Sequence, residues 1–391
     1  MSATPKPLLS DLDLLRRLIA FDSTSHRSNL PIADFIADYL DRPGVHVERN
    51  PSKDGDKTNL VVRVGPEVDP STCGGLTLSG HVDVVPALEP EWRCDPFDMQ
   101  VEDDRLVGRG TCDMKGFVAL AVNAAARAAE RSATLSSPVA LVITYDEELG
   151  TLGARRFVDT WPIADRPLPR RTIVGEPTSL RAVRMHKGHA KGRLELRGAP
   201  AHSGYPHLGK NAIEPMGRAI VALSEVRRQL EEEGGPNSEH FPEVPFVALN
   251  LARIHGGAAI NIIPERCVLD IGFRLLPGMD LGMVERRIEE ALGRALEGED
   301  YTFEPVNHSP PMLLDARSDL YGAVCLLADQ TETVSASYAT DAGWMQEIGF
   351  ECLLYGPGDI SVAHRPNEWL PRDEFERCAQ DLDALVERFC G

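Results

Sequence analysis

No apolar run in the chain approaches the roughly 20 residues a helix needs to cross a bilayer, so no spanning segment is expected. Positive charge is scarce as well: 41 Lys and Arg stand against 60 Asp and Glu, a formal net charge of −19. Nucleic acid and anionic membrane surfaces would repel such a chain at long range, which leaves small molecules as the expected partners. The eight cysteines include no C-x-x-C pair, and their scatter predicts reduced, packed thiols rather than disulfides or a thiolate zinc site. The opening MSATPKPLLSDLDLL lacks a basic segment followed by an apolar core and a small-residue cleavage site, so a cytoplasmic location is expected. There is no G-x-S-x-G elbow for a serine hydrolase, and neither G-x-G-x-x-G nor a terminal G-K-[ST] for cradling phosphate. Internal repeats, low-complexity tracts and long charged tails are missing too.

At 391 residues the chain exceeds the length at which a single hydrophobic core keeps growing, so two domains are expected. Residues 8–20 (LLSDLDLLRRLIA) and the run PIADFIADYL from Pro31 repeat apolar positions at helical spacing, proline being tolerated in a first turn. NLVVRVG, GLTLSGHVD and SPVALVITY are short and rich in β-branched residues, which predicts buried strands, while KGFVALAVNAAARAAE predicts a helix with an alanine-rich face. Strands alternating with helices in this way predict an α/β layered sandwich around a mostly parallel sheet. From residue 184 the texture changes: RMHKGHAKGRLELRG alternates like a half-exposed strand, and a long amphipathic helix, two more strands and a second helix follow. After HSPPM the α/β pattern returns. A smaller α+β domain over 184–303 is therefore expected to be inserted into a discontinuous domain of 1–183 and 304–391.

Several chemically capable residues sit just beyond predicted strands. His81 and Asp83 in SGHVDVVP face the same side of extended chain, which suits a metal ligand and the carboxylate that orients it. Asp113 in GRGTCDMKG precedes the alanine-rich helix, where helix capping competes with ligation. TYDEELG packs Asp146, Glu147 and Glu148 together, VGEPTSL offers Glu176, and GPGDISVAHRPNEWL offers His364. In a parallel sheet, residues past the carboxyl ends of several strands converge on one crevice. Imidazoles and carboxylates without thiolates favour zinc or a similar ion, and three carboxylates with two histidines can hold two ions that share one bridging carboxylate.

In this order, SGHVDVVP, GRGTCDMKG, TYDEELG, VGEPTS and AHRPNEWL resemble the motifs of the metal-dependent M20 peptidase and deacylase family. The resemblance spans nearly the whole chain. It implies a phosphorylase/hydrolase-like three-layer catalytic domain carrying an inserted lid and dimerisation domain. It implies two divalent cations, zinc with cobalt as an alternative, one held by His81, Asp113 and Glu176 and the other by Asp113, Glu148 and His364, with Asp113 bridging. Glu147 would be the general base, Asp83 the partner of His81, and the peptide bond from Asp113 to Met114 would be cis. His202, in RGAPAHSGYPHLGKNAI, would reach the active site of a second copy and stabilise an oxyanion. Asn261 and Arg274 resemble substrate-binding positions, although Gly272 stands where the family usually has an acid shortly before that arginine. The implied reaction is hydrolysis of an N-acyl amino acid, with N2-acetyl-L-ornithine in arginine biosynthesis as the expected substrate and succinyl-diaminopimelate, other N-acyl amino acids and dipeptides as rivals. Asp146 is expected to be solvated or to cap a helix, and His186 and Lys187 fall at the domain junction.

Overall fold

Leucines 14, 15 and 18 with Ile19 form the buried stripe of the first helix, Asp11–Ile19, which Ser10 opens by accepting a hydrogen bond from the Asp13 amide at 3.1 Å. The second, Leu30–Tyr39, carries its proline in the first turn. Both belong to the computed structural model, which describes residues 7–391. Its chain divides into two units, the first running through Met185 and resuming over Leu314–Val334 and Thr340–Gly391.

The first unit is organised by one large sheet. Its strands include β1 (Val45–Pro51), β2 (Thr58–Val64), β3 (Leu76–His81), β4 (Val139–Thr144), β5 (Arg171–Val174) and β6 (Val183–His186), with a late strand at Glu351–Leu354. The order is β1-β2-β4-β3-β5, then the late strand, then β6. Four strands at the centre, β4, β3, β5 and the late strand, are parallel. On one flank β1 and β2 join antiparallel, and on the other β6 meets the late strand antiparallel. The parallel strands form the buried centre of the sheet: every residue of β3 and β4 is buried. Helix Gly116–Glu130 is buried along almost its whole length, because its alanines let it lie close to β3 and β4 and against the first helix and the C-terminal helix Arg372–Cys390.

This topology positions the chemistry. β3 and β4 run parallel in a register that pairs His81 with Thr144, and Ser79 on β3 pairs with Val174 on β5. The segments leaving β3, β4 and β5, which carry Asp83, Glu147 with Glu148, and Glu176, therefore emerge at one end of the sheet.

The second unit spans His186–Leu313 with Ser335–Ala339. Strands β7 (Gly188–Arg197), β8 (Ala248–Gly256), β9 (Arg266–Leu275) and β10 (Asp300–Ser309) form an antiparallel sheet in the order β8-β9-β7-β10. Helices Ile213–Glu233 and Leu281–Ala295 complete a core of its own, built from residues such as Leu194, Met216, Leu223, Ile271 and Ile288. The unit runs further than the expected 184–303, because β10 pairs with β7 along its length and completes the sheet. A register shift between Pro305 and Asn307 interrupts the alternation that would have marked β10 as a strand in sequence.

The loop that carries Asp113 is fastened from far along the chain. Oε1 of Glu368 accepts hydrogen bonds from the backbone amides of Gly110, Cys112 and Asp113 at 3.0, 3.0 and 3.1 Å. Oε2 accepts from Nη1 of Arg109 at 2.6 Å, and both side chains are only 1% exposed. Glu368→Ala would strand a buried guanidinium and three amides, which predicts a loss of about 3–5 kcal/mol from the unfolding of the first unit. Urea titration should show a lower midpoint for that unit and an unchanged one for the second; unchanged midpoints in both would contradict the role of the clamp.

Candidate metal centre

His81 closes β3, and its Nδ1 lies 3.0 Å from the backbone oxygen of Asp83 and 3.5 Å from Oδ1 of the same residue. A carbonyl can only accept, so Nδ1 carries a proton and Nε2 is the nitrogen that a cation would take. Nε2 stands 3.0 Å from Oδ1 of Asp113. The other oxygen of Asp113, Oδ2, is 3.3 Å from Nε2 of His364, and that nitrogen is 2.9 Å from Oε1 of Glu148. One carboxylate thus lies between two imidazoles, using a different oxygen for each. The peptide bond from Asp113 to Met114 is cis.

Two sets of ligand atoms gather around that shared aspartate. Those of His81, Asp113 and Glu176 lie within 4.8 Å of one another, and so do those of Asp113, Glu148 and His364. A lone pair facing a carboxylate oxygen at 3.0 Å is repulsive unless a proton or a cation lies among the acceptors. The imidazoles and the carboxyls shift one another: Asp113 and Glu148 raise His364 to about 10, and Asp113 and Asp83 raise His81 well above its usual value against its burial. Burial pushes Glu176 well above the ordinary carboxylate range, with Asp113 adding to the rise. Burial and Asp113 push Glu148 up to about 7, and burial and Glu176 push Glu147 well above its usual value. Asp113 goes the other way, since hydrogen bonds to His364 and His81 outweigh its burial. Three carboxyls that resist ionisation in a dry pocket, beside imidazole nitrogens and without thiolates, form a donor set that fits divalent cations.

Glu147 belongs to neither ligand set. What fixes it is Asp83, whose Oδ1 accepts from the Glu147 amide at 3.0 Å and whose Oδ2 accepts from the Glu148 amide at 3.3 Å. Ser25 Oγ donates to the same Oδ2 at 2.7 Å. Burial raises Asp83, but His81, Ser25 and the Glu147 amide together outweigh it and hold the group below the usual range. The carboxylate read in sequence as the partner of His81 therefore does most of its bonding to the acidic segment, and His81 meets chiefly the backbone oxygen of Asp83.

Asp146 departs from expectation. It is neither solvated nor a helix cap: it is 6% exposed, sits in the left-handed region at φ 51°, and forms a buried ion pair with Lys57. Lys57, Ser25, Arg109 and Glu368 were not singled out in sequence, although Glu368 lies inside the AHRPNEWL run. Asp341 is another unheralded acid, 2% exposed and accepting from Thr144 Oγ1.

All five ligand candidates, with Glu147 and Asp83, belong to the first unit, whereas His202, Asn261 and Arg274 belong to the second. There His202 and Asn261 are exposed neighbours: the Gly204 amide donates to Nδ1 of His202, and the Ser203 amide donates to the Asn261 carbonyl, both at 3.0 Å. Arg274 sits on β9 opposite His189 of β7. Burial, with Arg274 adding to it, lowers His189 to about 4 and Lys187 to about 8. His186 is buried and also lowered to about 4, chiefly by burial.

The model of peptidase family M20/M25/M40 matches residues 77–388. Acetylornithine deacetylase of Myxococcus xanthus is 35% identical, with 96% of this chain and 97% of that protein covered. The protein of the same name from Klebsiella pneumoniae is also 35% identical, with 97% of each covered. Among solved structures, an M20 family metallo-carboxypeptidase from Sulfolobus solfataricus superposes with a TM-score of 0.76 at 18% identity, covering 97% of this chain and 99% of that one. A dinuclear metal-binding M20 peptidase of Bacillus subtilis gives 0.67 at 14% identity, with 97% of each covered. By the family match and by near-full-length similarity above 30% identity, the chain belongs to peptidase family M20/M25/M40.

Proposed function

We propose that this metal-dependent hydrolase removes the acetyl group from N2-acetyl-L-ornithine, yielding L-ornithine and acetate in arginine biosynthesis. The observation that carries the chemistry is the pair of ligand sets sharing Asp113, with Glu147 beside them and committed to neither. The similarity to acetylornithine deacetylases over nearly the whole length supports the substrate.

His81, Asp113 and Glu176 would hold one divalent cation and Asp113, Glu148 and His364 the other, zinc being the expected metal and cobalt the alternative. When bound, the cations supply Lewis acidity to the amide carbonyl and to the attacking water. Glu147, which burial and Glu176 have made proton-retentive, takes a proton from that water as its oxygen bonds to the acyl carbon. It then returns the proton to the amine nitrogen as the C–N bond breaks, and the second proton of the water passes from the new carboxyl group to the amine, so acetate and the ammonium form of ornithine leave with atoms and charges balanced. Asp83 positions both glutamates through their amides.

In the second unit, Arg274 suits a bidentate grip on the α-carboxylate, and the nearby Lys187 supports an anionic ligand there. Asn261 is the second substrate contact. His202 would serve the active site of a second copy, making the enzyme a homodimer through its inserted domain. The free edge of β8 supports that reading, with exposed Ile254, Ile260 and Ile262 beside a groove of about 790 Å³. The pathway implies a cytoplasmic enzyme.

Glu147→Gln is expected to lower kcat by about 10²–10⁴-fold while the bound metal, measured by elemental analysis, stays at the wild-type level; retained turnover would reject Glu147 as the base. Chelation should abolish hydrolysis and added zinc or cobalt should restore it, and full activity of the chelated protein would remove the metal from the mechanism. In a panel of acetylornithine, succinyl-diaminopimelate, acetylmethionine and a dipeptide, acetylornithine should show the highest kcat/KM; preference for any other would replace the substrate while leaving the reaction type standing.

A further inference from the structure

Lys57 lies just before β2, remote in sequence from every ligand candidate, yet its side chain is about nine-tenths buried. Its ammonium donates to both oxygens of Asp146, at 2.5 and 2.6 Å, and to the backbone oxygen of Ser25. Three donors thus meet three acceptors. A buried ion pair contributes little net stability compared with apolar side chains of similar volume, so stability alone does not account for this one.

Its two attachments do. Ser25, held by its carbonyl, directs its hydroxyl to Asp83. Asp146, held by its carboxylate at φ 51°, is the residue immediately before Glu147 and Glu148. Asp83 in turn accepts the amides of Glu147 and Glu148. One cation therefore fixes both the acceptor that receives those amides and the chain that presents them.

We propose that Lys57 is a positioning residue for the general base, clamping Ser25 to Asp146 so that Asp83 and the Glu147 segment keep one mutual geometry. The proposal rests on the assignment of Glu147 as base. Misplacement of a catalytic group by about 1 Å can cost on the order of 10²-fold in rate, so removing the clamp should act on kcat rather than on KM.

Lys57→Met alone leaves Asp146 charged and buried, which can unfold the site, so the decisive protein is the double variant K57M/D146N, in which no charge is left unpaired. Metal-loaded, it should keep its metal content and urea midpoint, hold KM for acetylornithine within about twofold, and lose about 10–100-fold in kcat. In the metal-free protein, amide hydrogen exchange of segment 142–152, read by mass spectrometry, should speed up at least tenfold. Wild-type kcat with unchanged exchange would overturn the proposal and reduce Lys57 to neutralising Asp146. Loss of metal instead of kcat would overturn it by assigning the clamp to Glu148. Glu147→Gln measured in parallel separates the two claims: if that variant stays active the base assignment fails, whereas if it is inactive and the double variant is not, only the role of Lys57 fails.

Discussion

Eight carboxylic acids, Asp83, Asp113, Asp146, Glu147, Glu148, Glu176, Asp341 and Glu368, are gathered in the first unit in and around one buried cluster, and their mutual repulsion is the problem that the surrounding structure has to solve. Removing a carboxylate from water is costly unless hydrogen bonds or opposite charge replace the lost hydration. The fold treats the acids differently. Glu368 receives three backbone amides and an arginine. Asp83 receives two amides and a serine hydroxyl. Asp146 receives a lysine. Those three are satisfied by the protein alone and act as fasteners. Asp113 is held down by two imidazoles, whereas burial leaves Glu147, Glu148 and Glu176 above the usual carboxylate range. Glu148 and Glu176, with Asp113 and the two imidazoles, thereby make a set that could hold cations.

The same division explains what could be read from sequence. His81, Glu148 and Glu176 are legible because they close or follow short apolar strand runs, and parallel strands bring their carboxyl ends together whatever the intervening length. The fasteners are not legible. Glu368 works mainly through backbone amides, which every residue possesses, so nothing at positions 110 to 113 announces the acceptor more than 250 residues away. Lys57 and Asp146 are 89 residues apart and each looks like an ordinary loop charge; only the fold shows that both are buried. Strand direction was partly hidden as well. β2 is richer in β-branched residues than β3 and nearly as buried, yet it joins β4 antiparallel, because a doubly covered strand carries the same composition in either orientation.

The segmentation of the chain shows the opposite kind of error. β7 and β9 alternate cleanly and point to a second sheet. β10 does not, because its bulge at Pro305 and Asn307 shifts the register by one residue and a period of two no longer runs through it. Hydrophobic alternation records which face is buried, not which strands pair, so a bulged edge strand is the first element such a reading loses.

Glu147 and Glu148 raise a final question of geometry, since neighbours in sequence with identical side chains end in different environments. Both amides bond to the same carboxylate, each to its own oxygen. This bidentate grip fixes the positions of two successive Cα atoms against Asp83, and with the backbone held there the side chains leave in different directions. Glu148 reaches His364 at 2.9 Å, while Glu147 falls outside both ligand sets and against Glu176 electrostatically. In the proposed mechanism the ligand lies close to the cation, whereas the base stays off it with its oxygens free to take the proton of the water. Separating those proposed functions over adjacent residues would depend on an acceptor with two oxygens at the spacing of two backbone amides. An asparagine at position 83 would offer only one oxygen and would leave one of the two glutamates free to turn.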